Sequence, residues 1–338
     1  MSKITSRDVA RAAGVSQSTV SRALAGDERI SSDTRERILS TAQSIGYTPN
    51  ELARSLLSNK SNIVGLVMGD LLNPFYPTVL NGFVAALQKR GKRVLLFTVP
   101  PGGEVDDVLP FLLQYQVEGV IITSSALSSK MANACERNKT PVVLFNRATY
   151  KEAVCSVCCA NVQASFDLAE RLIEAEHDRF AIIGGRADTS THIERKQGLE
   201  EALARHGLSL VGDEMGDNTY EGGFAAALRL LRFRRRPNAI VCVSDVMAMG
   251  ALDAARFELG LRVPQDLSIV GFDDIPSASW PSYQLTTVRQ PIDAMIDRSL
   301  ALLFDPERKT KRKAITERLP GELIVRSSAL IAAKHPAE

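Results

Sequence analysis

Four polar side chains near the start of the chain have the types and spacing that reading a DNA groove requires: Gln17, Ser18, Ser21 and Arg22. In a helix that begins after Ser16, these side chains share the face opposite Val20 and Leu24. Glutamine can make two hydrogen bonds to adenine in the major groove, and arginine can make two to guanine. A helical hairpin with a purely structural role would be served equally well by glutamate and lysine at these positions. The pattern therefore favours a surface that recognises DNA.

The segment that carries this face has the pattern of two short helices joined by a tight turn. Thr5 can cap the first helix. Its apolar stripe consists of small side chains: Val9, Ala10 and Ala13. Gly14 supplies the left-handed residue that the turn needs, Val15 can fill the space beneath it, and Ser16 can cap the second helix. Residues 5–24 therefore predict a helix-turn-helix, the geometry that lays a helix across the major groove.

Two further helices are predicted in the next forty or so residues. The first covers residues 33–44 and ends at Gly46. Its buried side is expected to consist of four side chains: Ile38, Leu39, Ala42 and Ile45. The second begins with a capping box, in which Thr48 is the cap, Pro49 takes the first helical position and Glu51 follows. A helix this short is marginal on its own in water, and residues 58–62 then form a linker.

Composition limits the class of protein. The 338 residues carry a formal net charge of only +2, but residues 1–60 hold nine lysines and arginines against six acidic residues. No basic and apolar leader of the secretory kind is found, and the longest apolar stretch, residues 239–252, is too short to cross a bilayer. Five cysteines, an odd number, favour free thiols over a disulfide framework. We therefore expect a cytoplasmic protein without a membrane partner.

From residue 63 onward, short apolar runs alternate with longer amphipathic ones. Buried strands are predicted at residues 63–68, 94–98, 119–123, 142–145, 180–183, 240–243, 269–272 and 324–325. Helices are predicted at residues 79–89, 164–174, 195–205, 223–231 and 248–259. This alternation predicts mostly parallel sheets with helices on both faces. Because the region is long for one such sheet, we expect two similar lobes with a cleft between them.

In order along the chain, these motifs resemble those of the LacI/GalR family of bacterial transcription regulators. The head carries Asp8-Val9-Ala10-x-x-Ala13-Gly14-Val15-Ser16-x-x-Thr19-Val20-Ser21-Arg22, and the linker carries Tyr47-x-Pro49-Asn50-x-x-Ala53-Arg54-x-Leu56. The later motifs are Asn73-Pro74-Phe75, Arg195-x-x-Gly198, Ser244-Asp245-x-Met247-Ala248-x-Gly250, Val263-Pro264-x-Asp266-x-Ser268-Ile269-Val270-Gly271-Phe272-Asp273-Asp274 and Leu285-Thr286-Thr287-Val288-x-Gln290-Pro291. A helix-turn-helix alone is a weak family signal, but this ordered set covers nearly the whole chain.

The resemblance implies an N-terminal all-α helix-turn-helix head joined to an α/β core. The head would be residues 1–46, and the hinge helix with its linker residues 47–61. Residues 62–338 would bind the effector and dimerise, with the two lobes and parallel sheets of type I periplasmic binding proteins. Lobe 1 would be about residues 62–160 with 291–320, and lobe 2 about residues 161–290 with 321–330. The chain would cross between the lobes near residues 160, 290 and 320.

The resemblance also assigns DNA contacts. The residues implied to contact bases are Gln17, Ser18 and Arg22. Those implied to contact the DNA backbone are Ser16, Thr19, Ser21, Ser31 and Thr34. Insertion of the hinge in the minor groove falls to Asn50, Ala53, Arg54 and Leu56. Two alternatives stay open: that Arg22 touches only a phosphate, and that Leu56 and Leu57 simply pack on the core domain.

The effector site implied by the resemblance lies in the cleft. Its candidate residues are Asn73, Phe75, Asn146, Thr191, Arg195, Asn218, Ser244 and Asp273. Asp273 can accept hydrogen bonds from two hydroxyls of a sugar, and Arg195 can bind hydroxyls or an anionic group. Each residue could instead be a helix cap or a contact between lobes. Ala160 and Asn218 depart from the family, where many members have aspartate and an aromatic ring, which favours a polar, carboxylated or heavily hydroxylated ligand.

Three closely spaced cysteines are candidates for a metal or redox site. Cys155, Cys158 and Cys159 have a spacing seen in metal or redox sites, but no second cluster of cysteine or histidine lies near them in sequence. We therefore expect buried thiols and no metal. The basic runs at residues 229–236 and 308–313 are expected to be solvated surface.

The expected function is that of a ligand-responsive, sequence-specific transcriptional regulator, a repressor of a carbohydrate uptake or catabolic operon. It would bind a pseudo-palindromic operator as a homodimer, without a cofactor other than its effector, a sugar, sugar acid or related polar metabolite. A tetramer is less expected because no leucine heptads follow Arg326. An enzyme is not expected, since the chain has no glycine-rich phosphate loop, G-x-S-x-G or H-E-x-x-H motif. The alternative is a sugar-binding receptor whose N-terminal helices dock a protein partner.

Overall fold

A computed structural model describes residues 4–24, 26–48, 61–100, 103–123, 128–148, 154–232, 234–305 and 314–331. The predicted hinge residues Asn50, Ala53, Arg54 and Leu56, together with Leu57, lie outside these ranges. The chain forms two compact units, Met1–Ile63 and Val64–Glu338. Within the described ranges, no helix is both long enough and apolar enough to cross a bilayer.

The first unit contains the predicted helix-turn-helix. Its helices are α1 (Ser6–Ala13), α2 (Gln17–Leu24) and α3 (Ser32–Ser44). Gly14 ends α1 in the left-handed conformation, at φ +66°, which a side chain with a Cβ would strain. At the start of α2, the Ser16 hydroxyl accepts a hydrogen bond from the Thr19 backbone N–H (3.1 Å). The core of this unit is small, since it consists of Val9, Ala10, Ala13, Val20, Ala23, Ile38 and Ala42.

One side chain of α3 was placed wrongly from the sequence. Leu39 was expected to face the core, yet it is 46% exposed. Ile38 and Ala42 are separated by four residues and fill the core side, so the next residue, Leu39, is rotated about 100° away from it. The three-helix core is too thin to cover a wider apolar stripe.

The second unit contains two six-stranded sheets. The first is built from β1 (Ile63–Met68), β2 (Arg93–Thr98), β3 (Gly119–Ile122), β4 (Val142–Phe145), β5 (Cys155–Cys159) and β11 (Thr316–Leu319), in the order β11-β5-β4-β3-β1-β2. The second is built from β6 (Phe180–Gly184), β7 (Leu210–Met215), β8 (Ala239–Cys242), β9 (Ser268–Asp273), β10 (Thr286–Arg289) and β12 (Glu322–Ile324), in the order β12-β10-β9-β8-β6-β7. The predicted α/β class is thereby confirmed.

The sheets are mostly parallel, as buried sheets covered by helices require. In the first sheet, β1, β3, β4, β5 and β11 pair in parallel. In the second, β7, β6, β8, β9 and β10 pair in parallel, and β12 pairs antiparallel with β10. The chain passes from one sheet to the other after Cys159, after Arg289 and after Leu319. Three crossings bring the C-terminal ends of both sets of strands to one cleft.

Helices connect these strands. They are α4 (Phe75–Lys89), α5 (Val105–Leu113), α6 (Ser129–Arg137), α7 (Asn161–Ile173), α8 (Ser190–Arg205), α9 (Tyr220–Leu231), α10 (Asp245–Asp253) and α11 (Ile292–Phe304). A π-helical segment, Ala254–Glu258, continues α10, and a short 3-10 helix covers Pro276–Ser279. The strands of the two sheets and six of these helices, all but α5 and α6, share an extensive apolar core.

All five cysteines are buried free thiols. Burial raises the pKa of Cys135 to about 11, of Cys158 to about 12 and of Cys159 to about 11. Within the described residues, no group of three or more histidine, cysteine or acidic side chains is arranged to hold a metal ion. Buried thiols with a raised pKa are poor nucleophiles, so we assign Cys158 and Cys159 to packing.

We expect the native protein to resist alkylation of its thiols. At pH 8, iodoacetamide should label them at least about 100-fold more slowly than a free thiol, because the thiolate is the reactive form. All five should react after unfolding in guanidinium chloride, as mass spectrometry would show. The variant Ser282→Cys, at an exposed serine, provides the reactive control. Rapid labelling of Cys158 or Cys159 in the native protein would contradict this assignment.

Candidate functional site

The recognition face of the head is exposed, as the sequence predicts. Gln17, Ser18 and Arg22 are all exposed, and Ser21 is half-buried. The Arg22 side chain makes no hydrogen bond to the described residues, so its guanidinium is available to a base pair. Gln17, in contrast, donates to the Ser6 hydroxyl (3.0 Å) and accepts from Arg7 Nε (3.4 Å). These exposed bonds hold the Gln17 amide against α1 and must be exchanged if it reads a base.

The candidates for backbone contact form two hydroxyl clusters. The Ser16 hydroxyl lies 2.8 Å from that of Ser18 and 2.8 Å from that of Thr19. At the start of α3, the Ser31 hydroxyl donates to that of Thr34 (2.9 Å). Hydroxyls and backbone N–H groups at helix N-termini are ordinary ligands of phosphate. Both clusters therefore have the chemistry to fix the position of the head on DNA.

The eight predicted effector residues line one cavity of about 310 Å³ in the second unit. They are Asn73, Phe75, Asn146, Thr191, Arg195, Asn218, Ser244 and Asp273. Four lining residues were not predicted: Asp70, Tyr76, Arg147 and Val243. Arg147 follows Asn146 directly, but nothing in its local sequence distinguishes it from a surface arginine.

Turns at the ends of strands place these polar groups. Asp70, Asn146, Asn218 and Asp273 follow or end β1, β4, β7 and β9, and all have positive φ: 54°, 56°, 58° and 127°. Aspartate and asparagine tolerate this region better than other residues with a Cβ. Strained backbone of this kind is typical of ligand sites, because it aims side chains that a regular strand would hold in the sheet.

Asn73 and Thr191 have hydrogen-bond partners near the starts of helices. The Asn73 side chain accepts a hydrogen bond from the Phe75 N–H (3.1 Å) at the start of α4. The Thr191 hydroxyl accepts from Arg147 Nη1 (3.2 Å), a bond that joins the turn after β4 to the first turn of α8. The alternatives of a helix cap and a contact between lobes therefore hold for these two side chains.

Arg195 is the most constrained group in the cleft. It is 4% exposed, and its Nε donates to Asn161 Oδ1 (2.9 Å). Its Nη1 donates to the Val243 carbonyl (2.6 Å) and to Asp273 Oδ1 (3.3 Å), while its guanidinium carbon lies 3.6 Å from the centre of the Phe272 ring. Nη2 is buried without a hydrogen-bond partner among the described residues. Of the three guanidinium nitrogens, Nε and Nη1 are bonded to the protein, and only Nη2 has no partner among the described residues.

A glycine allows α8 to bring Arg195 to this position. A Cβ on Gly198 would collide with the backbone carbonyl of Val162, on α7. The close approach of the two helices places Arg195 beside Asn161, the first residue of α7. In the Arg-x-x-Gly motif, the glycine thus lets α8 pack closely on α7, and this close packing brings the Arg195 guanidinium to Asn161.

Asp273 completes the buried ion pair. Its Oδ1 accepts from Gln290 Nε2 (2.7 Å) as well as from Arg195, and it is 5% exposed. Burial raises the pKa of Asp273, whereas the neighbouring Arg195 opposes that shift. Because these two bonds involve Oδ1, the other oxygen is available to a hydroxyl in the cleft.

A chain of bonds links the cleft to the crossings between the lobes. Asn161 Nδ2 donates to Glu194 Oε2 (3.0 Å), and Arg318 Nη2 donates to Glu194 Oε1 (2.8 Å). Asn161 follows the first crossing, Gln290 the second, and Arg318 on β11 precedes the third. Glu194 was not predicted, since only the fold brings it into this network. All three crossings are thus bonded to groups that touch Arg195 or Asp273.

Asp245 lies beneath this network and is fully buried. Its carboxylate accepts from the Ile275 N–H (2.9 Å) and from the Thr287 hydroxyl. Burial, and secondly the charge of Asp273, raises the pKa of Asp245 to about 8. A Cβ on Gly271 would collide with Asp245 Oδ1, so only glycine fits at that point of β9.

We expect Asp245 to make the protein less stable as the pH rises. Its pKa in the folded state lies above the unfolded value of 3.8, so folding favours the protonated form. The contribution to the free energy of unfolding is complete below about pH 4 and is lost by about pH 8. Urea unfolding between pH 5 and 8 should show a decline, relative to Asp245→Asn, of at most about 1.4 kcal/mol per pH unit.

A control variant separates this effect from general charge. Asp266→Asn removes an exposed carboxylate whose pKa is lowered to about 2 by its bonds to Arg262. That group stays ionised from pH 5 to 8 in both states, so this variant should follow the wild-type profile. Parallel profiles for Asp245→Asn and the wild type would instead show that Asp245 is ionised when folded.

The chain is similar to known proteins over nearly its whole length. The model of bacterial regulatory proteins, lacI family, matches residues 5–50, and that of the periplasmic binding protein-like domain matches residues 169–329. The HTH-type transcriptional repressor CytR of Escherichia coli (strain K12) is 32% identical over 327 residues, which are 96% of each chain.

Two solved structures extend the comparison to the fold. A lac repressor dimer bound to operator and the anti-inducer ONPF has a TM-score of 0.86 at 26% identity, covering 98% of this chain and 100% of the other. A complex of the transcriptional regulator CelR with cellobiose has a TM-score of 0.71 at 31% identity, covering 96% and 100%. A relationship that spans the head and both sheets shows that this chain belongs to the lacI family of bacterial regulatory proteins.

Proposed function

We propose that this chain is a homodimeric repressor of a carbohydrate uptake or catabolic operon, controlled by a small polar effector in the cleft. The observation that carries the proposal is a buried polar cavity, with donors and acceptors unsatisfied by the protein, in a chain that also has an exposed helix-turn-helix face. A solved relative is a repressor dimer bound to operator, and another is a regulator bound to cellobiose. The proposed place of action is the cytoplasm, where the operator is.

The dimer follows from the geometry of recognition. One recognition helix contacts only a few base pairs, so two heads on a pseudo-palindrome double the number of contacts. We place base reading at Gln17, Ser18 and Arg22. The hinge segment, residues 48–57, is proposed to become helical on the operator and to insert Leu56 into the minor groove.

The control by effector follows from which groups line the cavity. Asn146 and Arg147 come from the first sheet, whereas Arg195, Ser244 and Asp273 come from the second. A ligand that bonds to both sets binds the closed arrangement of the lobes better than the open one. Such differential affinity is what couples one site to another. No metal or organic cofactor is proposed beyond the effector.

Fluorescence anisotropy with a labelled operator tests the proposal. The full chain should bind a pseudo-palindromic operator, identified by selection from random duplexes, at least about 1,000-fold more tightly than a scrambled duplex at physiological salt. Equal affinity for both would overturn the proposal. Residues 62–338 alone should not bind; if they bound as well as the full chain, the alternative of a receptor with docking helices would gain support.

A further inference from the structure

The cleft contains two buried arginines and only one buried carboxylate among its lining residues. Arg195 is paired with Asp273 at 3.3 Å. Arg147 is 8% exposed, and no carboxylate oxygen of the described residues lies within 4.0 Å of its guanidinium nitrogens. Asp70, which also lines the cavity, is exposed and forms no ion pair with Arg147 within 4.0 Å, so the charge of Arg147 acts on it only at longer range. The described cleft thus has an excess of one buried positive charge.

The hydrogen bonds of Arg147 leave two of its five N–H donors unused, the Nε–H and one Nη2–H. Nη1 donates to the Asn146 carbonyl (2.9 Å) and the Thr191 hydroxyl (3.2 Å), and Nη2 donates to the Tyr76 hydroxyl (2.9 Å). All three acceptors are neutral, and Nε is buried without a partner among the described residues. A buried charge without a counter-ion is costly, whereas an anionic ligand would remove that cost.

The other unsatisfied polar atoms in the cleft match neutral groups of a ligand, not an anionic group. Asn146 Oδ1, Arg195 Nη2 and Ser244 Oγ are buried without hydrogen-bond partners among the described residues. Arg195 is already neutralised by Asp273, so these three atoms and the free oxygen of Asp273 match neutral hydroxyls. The cavity therefore combines one anionic subsite with several hydroxyl subsites.

We propose that the effector is a polyhydroxylated carboxylic acid of about the size of a hexuronic acid, whose carboxylate is bound by Arg147. This inference rests on the proposed function, because it names the ligand class of the same cleft. One anionic subsite and four hydroxyl-binding groups match a single sugar-acid unit, which carries one carboxylate and four hydroxyls. The hydroxyls would bond to Asp273, Ser244, Asn146 and Arg195.

A carboxylate matches Arg147 better than a phosphate does. One unpaired positive charge and two free donors, the Nε–H and one Nη2–H, suit a monoanion with two acceptor oxygens. A phosphate monoester carries a charge of about −1.5 to −2 and three acceptor oxygens, which call for more donors than Arg147 has free.

Isothermal titration calorimetry on the full-length protein tests the ligand class. The acidic probes are D-glucuronate and D-galacturonate, and their neutral counterparts are D-glucose and D-galactose. D-glucose 6-phosphate is added as the phosphorylated probe. We expect at least one hexuronate to bind at least about 10-fold more tightly than its matched hexose, because a buried charge-assisted hydrogen bond is lost in the neutral sugar.

Variants at Arg147 locate the effect. In Arg147→Gln, the ratio of hexuronate to hexose affinity should fall to near one, and in Arg147→Lys a preference for the acid should persist. Arg232→Gln, at an exposed arginine at the end of α9, removes the same charge elsewhere and should leave the ratio unchanged. Since each ratio is measured within one variant, it does not depend on equal stability of the variants.

Several outcomes would overturn the inference. Tighter binding of a hexose or of the phosphorylated sugar, absence of binding by both hexuronates, or an unchanged ratio in Arg147→Gln would each do so. The proposed function is judged separately by operator binding. A hexose that binds and shifts operator affinity would leave the repressor proposal standing while removing the acidic ligand.

Discussion

Replacing Arg22 with alanine is expected to weaken binding to the operator by at least about 30-fold. Arg22 is exposed on the recognition helix and makes no hydrogen bond to the described residues, so its guanidinium is free to bond to a base pair. A bidentate base contact contributes about 1–3 kcal/mol of discrimination, and a dimer makes the contact in each of two half-sites. Fluorescence anisotropy with the selected operator and a scrambled duplex measures the loss.

The specificity ratio decides between the two roles that the sequence left open for Arg22. If Arg22 reads a base, the operator loses affinity and the scrambled duplex does not, so the ratio falls. If it touches only phosphate, both duplexes weaken equally and the ratio stays constant. Arg11→Ala is the charge-matched control, because Arg11 is an exposed arginine on α1 outside the recognition face.

Gln17→Ala should have a smaller effect than Arg22→Ala. The Gln17 amide is already bonded to Ser6 and Arg7, so part of its gain on a base is offset by breaking those bonds. A larger loss in Gln17→Ala than in Arg22→Ala would reverse this order.

Replacing Arg195 with alanine is expected to remove the response to effector and to destabilise the second unit. The variant removes the partner of the Asn161 amide and the Val243 carbonyl and leaves the Asp273 carboxylate buried without its cation. Breaking a buried ion pair on one side costs about 3–5 kcal/mol. We expect Tm to fall by roughly 6–15 °C and effector affinity to fall by at least about 100-fold.

Two comparisons make the Arg195 result specific. Arg205→Ala removes an exposed arginine from the same helix, with its guanidinium 5.9 Å from the Phe166 ring, and should change Tm little. Arg195→Lys keeps the charge but cannot donate to three acceptors in the plane of a guanidinium, so it should recover stability in part and affinity less. Equal Tm for Arg195→Ala and Arg205→Ala would show that the buried pair contributes nothing.

The network around Arg195 indicates how a ligand could act on the whole second unit. Arg195 bonds to Asn161 and Asp273, Asp273 bonds to Gln290, and Glu194 joins Asn161 to Arg318. These residues lie at the three places where the chain crosses between the sheets. A change in the hydrogen bonds of Arg195 would therefore alter contacts at the three crossings, where the angle between the lobes is determined.

The helix-turn-helix could be predicted closely because its determinants are local. Capping at Ser16, the left-handed turn at Gly14 and apolar residues three or four apart act within one or two turns of helix. Leu39 was the exception, since its burial depends on how thick the three-helix core is. Six of the eight central strands were also predicted, because a parallel strand buried on both faces is a continuous apolar run. The other two, β5 and β10, were not among the predicted strands.

Two of the four edge strands, β7 and β11, were not predicted, for the opposite reason. β7 contains Asp213 and Glu214, and β11 contains Glu317 and Arg318, so neither has an apolar run. Their pairing with β6 and β5 supplies the backbone hydrogen bonds that make them strands. Such segments become strands only when an adjacent strand supplies partners for their backbone hydrogen bonds.

The sequence by itself predicted the helix-turn-helix and the α/β class, and its resemblance to the LacI/GalR family predicted the eight residues that line the cleft. Only the tertiary structure decided that Arg147 enters the same cleft without a carboxylate beside it, and that Asp245 lies buried under Asp273. The physical reason is distance along the chain. Arg195 and Asp273 are 78 residues apart, and their pairing depends on strand register, positive φ at strand ends and the close packing of α7 on α8.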